Sequence, residues 1–221
     1  MPDLNSTSPE NVSVTDDIIC IRDNFLFPLL NDGKEIILLS HSWGGSAGGA
    51  AADGLSKVER AAKGQSGGVI GLIFIAAFLS RKNESLWDAV GQRPANFVLY
   101  DDPIPGNVFI NTSFATNIFY NDLPVPLADS AVAHLLPISK NAISSPSPSN
   151  PGWSNPGFQG KLAWIYTLLD NFVLPATQDV VMNATGVKWD VQVFNTSHSV
   201  YMKEPKRLAE TVRDLARGWV V

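Results

Sequence analysis

The sequence predicts an α/β fold, a mostly parallel sheet flanked by helices. Three observations predict it. A wholly apolar run at 36–39 has the pattern of a strand buried on both faces of such a sheet, 69–78 is a second apolar run, and 162–168 and 189–194 read as a third and a fourth strand. Helical segments separate several of these runs, the alternation that builds β-α-β units. Three of the runs end in polar residues, at Ser42, at Asp170 and at His198. A chain of 221 residues can bury one sizeable core and is read as a single domain. Its core segments are 12–79 and 160–221, with an insertion at about 80–159.

In chain order, the first dozen residues read as loop. Thr15 has the character of an N-cap, with Asp16 and Asp17 in a first turn where negative charge suits the helix dipole. Ile18, Ile21, Phe25, Leu26 and Leu29 recur at helical spacing and define a core face, and Pro28 should kink or shorten the helix. Asn31-Asp32-Gly33 ends it, and the first strand begins at Ile36. A polar turn and a run of small residues to Ala52 follow, read as a helix packed closely on the sheet and reaching about Arg60. Residues 64–68 form a loop before the second strand.

The insertion breaks this rhythm. It is rich in Pro, Asn and aromatics, among them Trp87, Phe97, Tyr100, Phe114, Phe119 and Tyr120, and only 126–136 has clear helical periodicity. Residues 144–156 read as a Ser/Pro/Asn loop. An insertion of this length suits a lid over a binding site. Its aromatics fit either a pocket for the non-reacting part of a substrate or a small core of the lid itself. The alternation returns at Lys161, with a short helix at 176–183 and a terminal amphipathic helix from Pro205 to a stop at Gly218, turning Leu208, Val212 and Leu215 to the core.

Composition excludes several functions. A net charge of −5 without a basic cluster argues against nucleic acid. No run is long and apolar enough to span a bilayer, and the polar, acidic N-terminus does not read as a secretory signal. Cys20 is the single cysteine, which makes a reducing, cytoplasmic location the expectation. Glycosylation sequons at Asn5, Asn11, Asn83, Asn111, Asn183 and Asn195 cut against it, although an Asn/Ser/Thr-rich chain produces such triplets without consequence.

The chemistry concentrates at Ser40-His41-Ser42-Trp43-Gly44-Gly45. A serine on a sharp strand-to-helix turn lifts its hydroxyl out of the sheet, and the N–H behind it points to where negative charge develops. Small residues must flank it because the turn is crowded. The pattern G-x-S-x-G falls instead on Gly44–Gly48, but Ser46 would lie a turn inside the helix, bonded back to a carbonyl. Strand context selects Ser42, whose alternative role is a helix cap. A serine hydroxyl needs a base, which His198 supplies, and the imidazole needs an orienting carboxylate, which Asp170 supplies. His41 should point away from Ser42, His134 belongs to the insertion's helix, and Asp179, the weaker candidate acid, lies inside a helix.

These residues resemble the α/β-hydrolase superfamily, of the single-domain esterase-like kind with His-Ser-x-Gly-Gly at the serine turn. The match includes His41–Gly45, Asp16-Asp17, Ala77-Phe78-Leu79, Phe119-Tyr120-Asn121-Asp122-Leu123-Pro124, Asp170 with Pro175 and Gln178, and Ser197-His198. The resemblance implies the α/β-hydrolase fold, a triad of Ser42, Asp170 and His198, an oxyanion donor at the Trp43 backbone N–H, and no metal or cofactor. It implies a small-molecule ester or lactone as substrate, with C–C or cyanohydrin lyase chemistry and a catalytically impaired homologue as alternatives. Family members carry several strands before the Asp16 region, with a second oxyanion N–H in a loop there. This chain starts later, which predicts a weakened oxyanion hole and an apolar open edge at 36–40, prone to self-association.

Overall fold

The computed structural model describes residues 1–91 and 96–220, so residues 92–95 of the expected insertion lie outside the description. The first helix, α1 (Val14–Ile21), is capped by Ser13 rather than Thr15. The Ser13 N–H and hydroxyl both donate to Asp16 Oδ2, at 2.8 and 2.7 Å, a reciprocal box that needs an acid three residues after the cap. A wide π turn over Arg22–Leu26 leads into α2 (Phe27–Asn31) just before Pro28, whose nitrogen has no proton for the helical ladder. The wide turn rotates the expected face. Ile18, Leu26 and Leu30 are buried, while Phe25 and Leu29 are exposed.

Asp17, read as a negative charge in the first turn, is only 3% exposed. Its Oδ1 accepts the Asp3 N–H at 3.1 Å. Burial first, and the neighbouring Asp3 carboxyl second, raise its pKa from 3.8 to about 7. A carboxyl raised on folding stabilises the fold fully below pH 3.8, and that contribution is lost as pH rises through 7. Asp17→Asn cannot ionise, so its melting temperature relative to wild type is expected to climb between roughly pH 4 and 8. Thermal scans at several pH values showing a constant difference would contradict this.

Strand β1 (Glu35–His41) leads into α3 (Gly44–Ala51). The helix expected to reach Arg60 breaks there: Gly54 turns at φ +73° and Ser56, in a capping box with Glu59, starts α4 (Lys57–Ala62). Strand β2 (Gly68–Ile75) is buried along its whole length. The insertion then contributes α5 (Leu86–Ala89), β3 (Val98–Tyr100), β4 (Asn107–Ile110), α6 (Thr112–Phe119), α7 (Val125–Val132), β5 (Ile138–Ser139) and α8 (Lys140–Ser144). Most of these helices escape periodicity analysis because they are four to eight residues long and begin at side-chain caps, Ser85, Asn111 and Ser139. Residues 144–156 include a short 3-10 turn, Gly152–Ser154, whose Trp153 packs with Phe158 in the main core, not in the insertion. Strand β6 (Leu162–Thr167), α9 (Pro175–Thr185), β7 (Asp190–Phe194), α10 (Val200–Lys203) and α11 (Pro205–Trp219) complete the chain. Helix α11 continues through Gly218 because buried Trp219 fits against Gly71, where any side chain would collide with its ring.

The main sheet is parallel, in the order β1-β2-β6-β7, and β3-β4-β5 form a separate antiparallel sheet. Alternate residues feed opposite layers, so Leu72 and Phe74 pack with α1 and α3 while Ile73 and Ile75 pack with α11. Among the described residues β1 pairs only with β2, leaving it at an edge with Leu39 41% exposed. No helix among the described residues is long and apolar enough to cross a membrane.

Candidate active site

The C-terminal ends of β1, β6 and β7 open on one rim of the sheet, where ligands bind in open α/β folds. Ser42 follows β1 with φ +54°, the left-handed region that non-glycine residues rarely adopt. The surroundings enforce it. Ser42 N–H donates to the Ile75 carbonyl at 3.0 Å, and its own carbonyl accepts Gly45 N–H and Phe78 N–H at 3.0 Å each. A methyl group at Gly45 would overlap the Phe78 carbonyl oxygen, and one at Gly48 the Ser40 hydroxyl, which is the physical demand behind the small-residue run.

His198 lies in the loop after β7, with Nε2 2.9 Å from Ser42 Oγ and Nδ1 2.8 Å from Asp170 Oδ2. All three residues are buried. Asp170, in the loop after β6, accepts from Thr167 Oγ1 at 2.8 Å on Oδ2 and from the Phe172 and Val173 N–H groups, both at 2.8 Å, on Oδ1. A carboxylate surrounded by donors fixes the histidine tautomer: Nδ1 carries the proton and Nε2 accepts from the serine. Trp43 sits at the N-cap of α3, and its backbone N–H has no protein acceptor among the described residues.

The other candidates lie apart from this group. Ser46 is inside α3, and its hydroxyl meets Ser80 Oγ rather than a backbone carbonyl, because that face of the helix abuts the segment after β2. Asp179 is on α9 beside Tyr166. His134 Nδ1 meets the Ser130 carbonyl at 2.6 Å on the surface.

Two residues matter more than their sequence context indicates. Gln178, fully buried, bonds both the N–H and the carbonyl of Thr167, the Thr167 hydroxyl and the Val173 carbonyl, bracketing the Asp170 loop. His41 points away from Ser42 as expected but reaches the other partner. Its Nε2 donates to the His198 carbonyl at 3.1 Å and its ring lies 4.4 Å from the His198 ring. Burial first and His198 second lower the His41 pKa to about 3, so this imidazole stays neutral beside His198. Neither role carries a local signal, since each depends on contacts between distant segments.

A cavity of about 330 Å³ adjoins the site, lined largely by apolar side chains that include Trp43, Leu86, Val108, Phe119 and Ile143. Phe119 and Phe172 pack against the His198 ring at 5.5 and 5.1 Å.

Comparison with solved structures finds this fold in esterases and hydrolases. A methylesterase, MES16 from Arabidopsis, is 21% identical, with a TM-score of 0.61 over 96% of this chain and 81% of its own. A pyrethroid hydrolase from Sphingobium faniae is 20% identical, with a TM-score of 0.62 over 93% and 78%. Polyneuridine aldehyde esterase is 15% identical, with a TM-score of 0.68 over 96% and 82%. At these identities the likeness establishes the fold. No curated protein is significantly similar to the chain. Residues 2–211 match the alpha/beta hydrolase family, and with the parallel sheet and the serine turn in view, the chain belongs to that family.

Proposed function

We propose that this chain is a serine hydrolase that cleaves a carboxylic ester or lactone of a small apolar molecule through an acyl-enzyme. The observation that carries the reading is the continuous hydrogen-bond relay from Asp170 through His198 to Ser42, at 2.8 and 2.9 Å. Ser42 Oγ attacks the substrate carbonyl carbon while its proton passes to His198 Nε2. Asp170 stabilises the imidazolium that results, and the Trp43 N–H faces the developing oxyanion. The imidazolium then protonates the leaving alkoxide, and a water activated by the same imidazole releases the acid and restores Ser42. The β3-β4-β5 sheet and its helices act as the lid of this site.

The cavity holds the non-reacting part of the substrate. Each methylene buried there contributes about 0.8 kcal/mol, close to fourfold in kcat/KM. Across p-nitrophenyl esters, kcat/KM is therefore expected to rise from acetate to about octanoate and to fall for palmitate, which outgrows a cavity of about 330 Å³. A wild-type protein that turns over no ester or lactone, or that instead releases cyanide from a cyanohydrin, would replace this reading.

A further inference from the structure

We propose that the end of α6 and the turn that follows it, residues 117–122, form a clamp that sets the relative positions of the Asp170 and His198 loops. The inference rests on the serine-hydrolase reading above. Every contact used here ends within two residues of the acid or near the base. Asn121 Nδ2 donates to the carbonyl of Leu169, immediately before Asp170, at 3.0 Å. Asn171, immediately after Asp170, donates from Nδ2 to the Asn117 carbonyl at 2.9 Å. Ser197 N–H, immediately before His198, donates to Asp122 Oδ2 at 2.9 Å. Lys203 Nζ, on α10 just beyond the histidine loop, donates to the Asp122 carbonyl at 2.5 Å. Between these polar ties the Phe119 ring lies 4.9 Å from Phe172 and 5.5 Å from His198.

The two loops need such a support. They leave different strands, and the direct backbone ties between them are Leu168 N–H to the Phe194 carbonyl at 2.9 Å and Leu169 N–H to the Thr196 carbonyl at 3.0 Å. Both bonds precede Asp170 and His198, and past them the loops meet through the Asp170–His198 hydrogen bond and the Phe172–His198 ring contact, the geometry that needs holding. The segment adds grips on both sides of Asp170 and in front of His198, which together fix their mutual orientation. Asn121 and Asp122 themselves bond the neighbours of the acid and base, so they are positioning residues and not catalytic ones. Catalysis is sensitive to such support, because a displacement of about 1 Å costs on the order of 10²-fold.

The test compares full-length Asp122→Ala, Asp122→Asn and Asn121→Ala with wild type, each corrected for its folded fraction by thermal unfolding. Three quantities are read: the second-order rate of fluorophosphonate labelling, the low-field proton resonance of His198 Nδ1–H, and KM for p-nitrophenyl acetate. Asp122→Ala is expected to label about 10- to 100-fold more slowly, to shift or broaden the low-field resonance, and to keep KM within about twofold. Asp122→Asn retains an acceptor for the Ser197 N–H and is expected to recover labelling to within about threefold of wild type. Wild-type labelling and an unmoved resonance in folded Asp122→Ala would overturn the clamp, as would equal losses in Asp122→Ala and Asp122→Asn. If Asp122→Ala does not fold, Asn121→Ala decides by the same readouts. A wild-type protein that resists the probe would refute the hydrolase reading alone, since the resonance still reports the Asp170–His198 geometry.

Discussion

Ser42→Ala is expected to abolish fluorophosphonate labelling and to lower ester turnover by about 10⁶-fold, the loss that follows when the nucleophile of such a relay is removed. The fold should survive. Ser42 is held at φ +54° by backbone hydrogen bonds on both sides, and an alanine experiences the same strain there as the serine. Ser42→Gly separates the two roles of the position. Glycine adopts the left-handed region freely, so this variant is expected to melt higher than wild type while remaining unlabelled. Retained labelling in either variant would move the nucleophile elsewhere, with Ser46 the next serine to test.

Asp170→Asn is expected to lower kcat by about 10⁴-fold with the protein still folded, through the wrong histidine tautomer. Both carboxylate oxygens accept in this structure, two backbone N–H groups on one and Thr167 Oγ1 with His198 Nδ1 on the other. An asparagine must aim its NH₂ at one of these donor pairs. Toward His198 it forces Nδ1 to accept, which puts the proton on Nε2 and leaves nothing to take the serine's proton. Toward Phe172 and Val173 it opposes two N–H groups, and an unsatisfied buried donor costs about 1–3 kcal/mol. Steady-state kinetics together with circular dichroism distinguish these outcomes, and near-wild-type turnover would exclude Asp170 as the orienting acid.

The strands were the most legible part of the sequence. Apolar runs of the kind at β2 are satisfied inside a parallel sheet, and β1, β2, β6 and β7 lie within a few residues of the expected bounds, although β7 carries Asp190 and Gln192 and is mostly exposed. Helices were read less well. Thr15 lost the cap to Ser13, and the helix face slipped at Phe25 and Leu29, because a π turn before Pro28 changes the phase on which a 3.6-residue reading depends. In the insertion, short helices set by single caps and a two-residue strand at Ile138–Ser139 leave almost no periodic trace.

The sequence by itself determined the chemical parts: a serine between a strand and a small-residue helix, and an acid and a histidine each just past a strand. Local sterics and hydrophobic period dictate those, and both are written in neighbouring residues. Only the tertiary structure decided what brackets them, namely Gln178 around the Asp170 loop, His41 under the His198 carbonyl and the 117–122 segment across both loops. Such contacts join residues up to 157 positions apart, and a hydrogen bond over that separation leaves no mark on either local sequence.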